Sequence, residues 1–168
     1  AGSMYAGHAR SAAKAGRSVE APTVTVDHLC DLYTTVPDLM KIDVEGAENE
    51  VLRGSKRCAR HAKTRFLVEM HSPPELPMVK NAARVLAWCE EVGFAAWYLA
   101  DETRLEKPAQ VGHRGRCHVL LQPSAWPYPE WLKGIKQSAD LEAALASTKS
   151  RVGGAEGAAC SQMDRGTD

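Results

Sequence analysis

The chain has 168 residues, long enough for one domain with a real core and too short for two ordinary ones. Lysine plus arginine equal aspartate plus glutamate at 21 each, so no overall field draws the chain toward nucleic acid or an anionic membrane, and any partner must be recognised locally. The five cysteines, Cys30, Cys58, Cys89, Cys117 and Cys160, are scattered and odd in number, and they form no C-x-x-C pair. That pattern argues against a disulfide framework and a structural zinc site, and fits a reducing cytoplasm. No apolar run approaches a membrane span and the opening residues lack the hydrophobic centre of a secretory signal, so the chain reads as soluble and cytoplasmic.

Residues 1–21 are Ala, Gly, Ser and basic residues without sustained apolar periodicity, and are expected to be a flexible lead-in. Val24-Thr25-Val26 is a short β-prone segment, Asp27 stands in an N-cap position, and Leu29, Leu32 and Tyr33 give a brief helical face ending before Pro37. Asp38 to Val44 is a short apolar strand closed by Gly46, and helical spacing then runs from Glu48 through Val51, Leu52, Ser55, Cys58, Ala59 and Ala62. Phe66-Leu67-Val68 with Glu69 repeats the strand pattern before Ser72-Pro73-Pro74. Met78 to Val92 repeats the helix through Ala82, Val85, Leu86 and Cys89, with Gly93 as its C-terminal cap. Phe94 to Leu99 and His118 to Leu121 are two final strands, joined by a charged loop carrying Gly112 and Gly115. The ordered domain is thus expected over 22–123. Residues 124–168 form a C-terminal extension in which Trp126-Pro127-Tyr128-Pro129 and Trp131-Leu132 have the composition to dock, with disorder after about residue 150.

Strands alternating with amphipathic helices predict an α/β fold with a mostly parallel sheet, helices on both faces, and a ligand site outside the carboxyl ends of the strands. The apolar stretch Leu39-Met40-Lys41-Ile42 then runs into Asp43, Glu45 and Glu48 at that edge, and the next strand delivers Glu69 and His71 there as well. Taken singly, Asp43 and Glu48 are explained by helix capping and the helix dipole, Glu45 by a solvated loop, and His71 by a surface turn. Convergence of the two strand ends is what favours a site.

The stretch VTVDHLC through FLVEMH resembles the central part of FkbM-type S-adenosylmethionine-dependent methyltransferases. The matching elements are Val26-Asp27 with Leu29, the K-I-D-V-E-G-A-E run from Lys41 to Glu48, Val51 to Gly54, and Glu69-Met70-His71. Gly93-Phe94 and the strand Cys117 to Gln122 resemble the family's closing hairpin, so the likeness spans roughly 23–123. It implies part of a Rossmann-like class I methyltransferase sheet, its fourth to seventh strands, the last antiparallel to the rest. The family binds its cofactor mainly through its first two strands and a glycine-rich turn, and none of the glycines here has that strand-loop-helix setting. A fragment of a longer product, self-associating through an open sheet edge, is therefore one expectation.

The resemblance further implies transfer of a methyl group from S-adenosylmethionine to a hydroxyl of a sugar or small metabolite. In that scheme Asp43 lies nearest the cationic end of the cofactor and His71 is the general base, with Glu69 orienting it. Glu45 and Glu48 stand on the substrate side, Glu45 contacting substrate and Glu48 bracing the turn. A divalent cation held by Asp43, Glu45, Glu69 and His71 is the weaker alternative, with donor types that suit magnesium or manganese. A non-catalytic, truncated or substrate-binding chain is the other. Nucleic acid is disfavoured, because the basic residues from Arg53 to Arg65 are spaced as the solvated face of a helix.

Overall fold

A computed structural model describes residues 20–62, 64–135, 140, 142 and 143. The expected lead-in before Glu20 and the expected disorder after residue 150 lie outside the described residues. The chain divides into two compact units, residues 1–127 and 128–168. In the second, the 3-10 turn Glu130–Leu132 is followed by Lys133, which makes an ion pair of 2.6 Å with Glu130.

Helix α1 (Val26–Leu32) begins where Thr25, in extended conformation, accepts the His28 N–H on its Oγ1 at 3.1 Å. This cap commits Val26 to the helix, so the β-prone Val24-Thr25-Val26 is no strand. Asp27, expected to cap its own helix, reaches instead to helix α3 (Lys56–Ala62), where Oδ2 accepts from Arg57 N–H at 3.0 Å and Oδ1 from Cys58 N–H at 2.8 Å. Between α1 and α3 lie strand β1 (Leu39–Ile42) and helix α2 (Glu48–Arg53). The helical spacing through Ala62 is broken at Gly54-Ser55, where the Ser55 hydroxyl donates back to the Val51 carbonyl and a Cβ on Gly54 would stand 3.1 Å from Thr25 Cβ. The break lets the start of α1 pack there.

Strand β2 (Arg65–His71), helix α4 (Met78–Val92) and strands β3 (Phe94–Tyr98), β4 (Thr103–Leu105) and β5 (Arg116–Pro123) complete the larger unit. Gly93 ends α4 in the left-handed region at φ +78°, as its sequence position predicts. The sheet order is β1-β2-β5-β3-β4. A mixed α/β unit with an open five-stranded sheet agrees with the expected class, and β5 is reversed as the family likeness implies, but the sheet is not mostly parallel: among the described strands only β1–β2 is parallel, while β2–β5, β5–β3 and β3–β4 are antiparallel. Strands β1, β2 and β3 do run the same way. The reversed β5 inserts between β2 and β3 and converts both of its interfaces, and β4, hidden in the charged loop, adds a hairpin on β3.

The helices also depart from the two-faced expectation. Both crossovers advance in the same direction across the sheet, and right-handed connections then place α2, α3 and α4 on one face. There Phe66, Val68 and Met70 of β2 meet Leu52, Ala59, Ala82, Val85 and Trp88, with Phe66, Trp88 and Phe94 in edge-to-face and tilted ring contacts 5.5–6.2 Å apart. On the other face Arg65 lies over the Trp126 ring at 4.3 Å, and Gln122 donates to the carbonyls of Trp126 and Pro127, so this short segment docks on the sheet. Strand β1 has one neighbour among the described residues. Ile42 is buried at the inner end of this apolar stretch, whereas Leu39 at its start is 48 % exposed.

Candidate functional site

Parallel pairing of β1 and β2 brings their carboxyl ends to one rim of the sheet, with Lys41 beside Leu67 and Ile42 beside Val68. Past Ile42 the chain turns through Glu45 and Gly46, both at positive φ, +52° and +106°. Glycine suits this conformation, whereas Glu45 adopts it at a steric cost of about 1 kcal/mol or more. The turn brings the Gly46 N–H to Glu48 Oε1 at 2.8 Å and the Glu45 carboxylate to the end of β2.

All five residues singled out in the sequence meet there. Around His71 Nε2 stand Glu45 Oε2 at 3.5 Å, Glu69 Oε1 at 3.7 Å and Asp43 Oδ1 at 4.0 Å, while His71 Nδ1 is 2.9 Å from Glu48 Oε1. Exposure is graded across the group: the side chain of Glu48 is 0 % exposed, His71 8 %, Glu69 11 %, Glu45 32 % and Asp43 47 %. Asp43 and Glu45 thus face the opening and Glu48 forms the floor.

Two of the individual positions differ from the sequence reading. Glu69 sits opposite His118 in the β2–β5 register and beside Lys41 of β1, so its oxygens lie 3.1 Å from Lys41 Nζ, 3.1 Å from His118 Nε2 and 3.1 Å from Arg116 Nη1. Burial by itself would raise its pKa, but the hydrogen bonds from Lys41 and His118 outweigh that and hold it at about 2. It is Glu48, enclosed under the turn, that meets the second ring nitrogen of His71. Being fully buried, Glu48 has no surface to offer a substrate.

Asn81 completes the floor and was not singled out in the sequence. Its Nδ2 donates to the His71 carbonyl at 2.7 Å and to Glu48 Oε2 at 3.2 Å, and its Oδ1 accepts from Asn49 Nδ2 at 2.6 Å. The available signal was its position. Asn81 shares the buried stripe of α4 with Met78, Ala82, Val85 and Trp88, and an amide on an apolar stripe requires a polar partner. Lys41, Arg116 and His118 were not placed at the site from sequence, because only strand register makes them neighbours of Glu69.

The ligand atoms of Asp43, Glu69 and His71 lie within 4.8 Å of one another, a spacing compatible with a metal ion. Glu69, however, is already ion-paired with Lys41 and Arg116 and lies 3.1 Å from His118 Nε2, so its oxygens are engaged by the chain itself. Cysteine chemistry is disfavoured at Cys117, opposite Met70 in the β2–β5 register, since burial pushes its thiol up to about 11. Beside Asp43 opens a cavity of about 560 Å³ walled by Val24, Val26, Val44, Ala47 and Val51, with Glu50 also at its lining. No helix among the described residues is long and apolar enough to cross a membrane.

The family model described as the methyltransferase FkbM domain matches residues 3–95, which takes in β1, β2, α4 and every acid and imidazole of the cluster around His71. No curated protein and no solved structure matches the chain.

Proposed function

The chain belongs to the FkbM methyltransferase domain family, and from that premise we propose that it moves a methyl group from S-adenosylmethionine to a hydroxyl oxygen of a sugar or other small metabolite, on a partial Rossmann-like sheet. The donor, when bound, supplies a methyl carbon made electrophilic by an adjoining sulfonium. The residues fit such a group: Asp43 and Glu45 are the two partly exposed carboxylates of the rim, and Asp43 also borders an apolar cavity. Asp43 lies toward the cationic end of the donor and Glu45 contacts the acceptor. His71 takes the hydroxyl proton on Nε2 as the new carbon–oxygen bond forms and the carbon–sulfur electron pair stays with sulfur. Glu69, held in place by Lys41, Arg116 and His118, keeps a fixed negative charge beside the imidazolium that results.

The observation that carries this reading is the approach of three carboxylates from two strand ends to one imidazole nitrogen, all within 4.0 Å. Transfer of labelled methyl from S-adenosylmethionine to a panel of sugar and small-molecule hydroxyls tests it. His71→Gln should lower turnover by about 100-fold or more with donor affinity nearly unchanged. An equal rate in the variant would remove His71 from the chemistry.

A second reading is supported by a specific observation. Helix α1 buries none of its side chains and β1 is the sheet edge among the described residues, as in a binding module that needs further polypeptide to hold the donor. Isothermal titration with S-adenosylmethionine separates the two. Micromolar binding by the chain alone supports the enzyme, and no binding supports the module.

A further inference from the structure

We propose that Glu48 and Asn81 are positioning residues that fix His71 as its Nδ1–H tautomer, leaving Nε2 as the atom that accepts a proton. The functional half of this inference rests on the reading of His71 as a base, while the structural half stands without it.

The donors and acceptors around Glu48 fix the direction of each hydrogen bond. Glu48 Oε1 receives the Gly46 N–H at 2.8 Å, and Oε2 receives the Asn81 amide at 3.2 Å. The orientation of that amide is itself fixed, because Nδ2 also donates to the His71 carbonyl at 2.7 Å and Oδ1 accepts from Asn49 at 2.6 Å. Both carboxylate oxygens of Glu48 therefore act as acceptors. An ionised carboxylate only accepts, so in the remaining contact, His71 Nδ1 at 2.9 Å from Oε1, the ring supplies the hydrogen. With the proton on Nδ1, the Nε2 of neutral His71 carries a lone pair directed toward the side on which Asp43, Glu45 and Glu69 stand.

Burial makes the arrangement rigid. Glu48 and Asn81 are 0 % exposed, and Asn49 and His71 6 %, so breaking any link leaves a polar group without water to replace it. The network ties the β1–α2 turn, α2, the end of β2 and the first turn of α4, and so sets one ring from three distant parts of the chain. Glu69 cannot do the same work, since its oxygens face Lys41, Arg116 and His118 on the opposite side of the ring.

Free histidine favours the Nε2–H tautomer, so the assignment has a spectroscopic signature. Long-range 1H–15N correlation of the full chain carrying 15N-labelled histidine, at pH 8.5 with no donor or acceptor added, reads it, with the His71 signals identified by their loss in His71→Gln. The expected result is a protonated, pyrrole-type Nδ1 and a pyridine-type Nε2. An Nε2–H tautomer, or an imidazolium persisting at pH 9, would overturn the proposal. Asn81→Leu should replace the single tautomer with a mixture while the far-ultraviolet dichroism is retained, and an unchanged spectrum would remove Asn81 from the role. Should Asn81→Leu not fold, Asn81→Ser takes its place, because a serine hydroxyl is too short to reach both acceptors. Absence of methyl transfer from a chain with the Nδ1–H tautomer would sink the proposed activity and leave the positioning intact, whereas the wrong tautomer in an active chain would do the reverse.

Discussion

Glu69 illustrates how charge placement decides behaviour at a single residue. It is mostly buried, yet hydrogen bonds from Lys41 and His118 overcome the effect of burial and bring its pKa from 4.5 down to about 2. A carboxyl depressed in the folded state binds protons more readily when unfolded, so its stabilisation is complete above pH 4.5 and disappears as pH falls through about 2. Urea midpoints of the wild type should therefore drop between pH 4.5 and 2, and those of Glu69→Gln should drop less over the same window; parallel curves would assign the acid sensitivity to other groups. His71→Gln belongs to this scale too, as the substitution that separates proton transfer from donor binding.

Among the elements, the informative contact is the one made by Asp27. The sequence places it at the start of α1, but Thr25 already caps that helix, and Asp27 satisfies two N–H groups of α3 from outside. Asp27→Ala should cost about 1 kcal/mol, read as a shift in the urea midpoint without change in slope. No loss would mean that water replaces the cap. Gly54 belongs to the same junction. Its carbonyl accepts the Asp27 N–H at 2.9 Å, and its missing side chain admits Thr25, so the break between α2 and α3 and the docking of α1 are one feature.

For the whole molecule, the sheet has an unequal pair of edges. The β4 edge belongs to a three-residue strand, while the β1 edge is flanked by exposed apolar residues: Val24, Leu32, Tyr33, Val36 and Leu39 are each 48 to 70 % exposed. An apolar surface beside a strand that is unpaired on one side among the described residues predicts self-association. Sedimentation velocity should show concentration-dependent oligomers, reduced by Leu32→Lys with Leu39→Lys. A monomer at every concentration would exclude association through this edge.

The local pattern in the sequence was enough for the strand, turn and helix around Lys41 to Glu48, for the strand bearing Glu69 and His71, and for α4 with its Gly93 cap. Hydrophobic periodicity and turn residues act over a few neighbouring positions, and these elements are made by such short-range forces. The family and the five residues of the cluster were legible for the same reason, since contiguous motifs carry them. The family likeness already implied a reversed last strand; only the tertiary structure decided its place between β2 and β3, the single helical face, the partners around Glu69 and the pairing of Glu48 with His71. Each depends on register between segments 23 or more residues apart, where an acid meets whichever donor the pairing of strands and the packing of α4 bring to it.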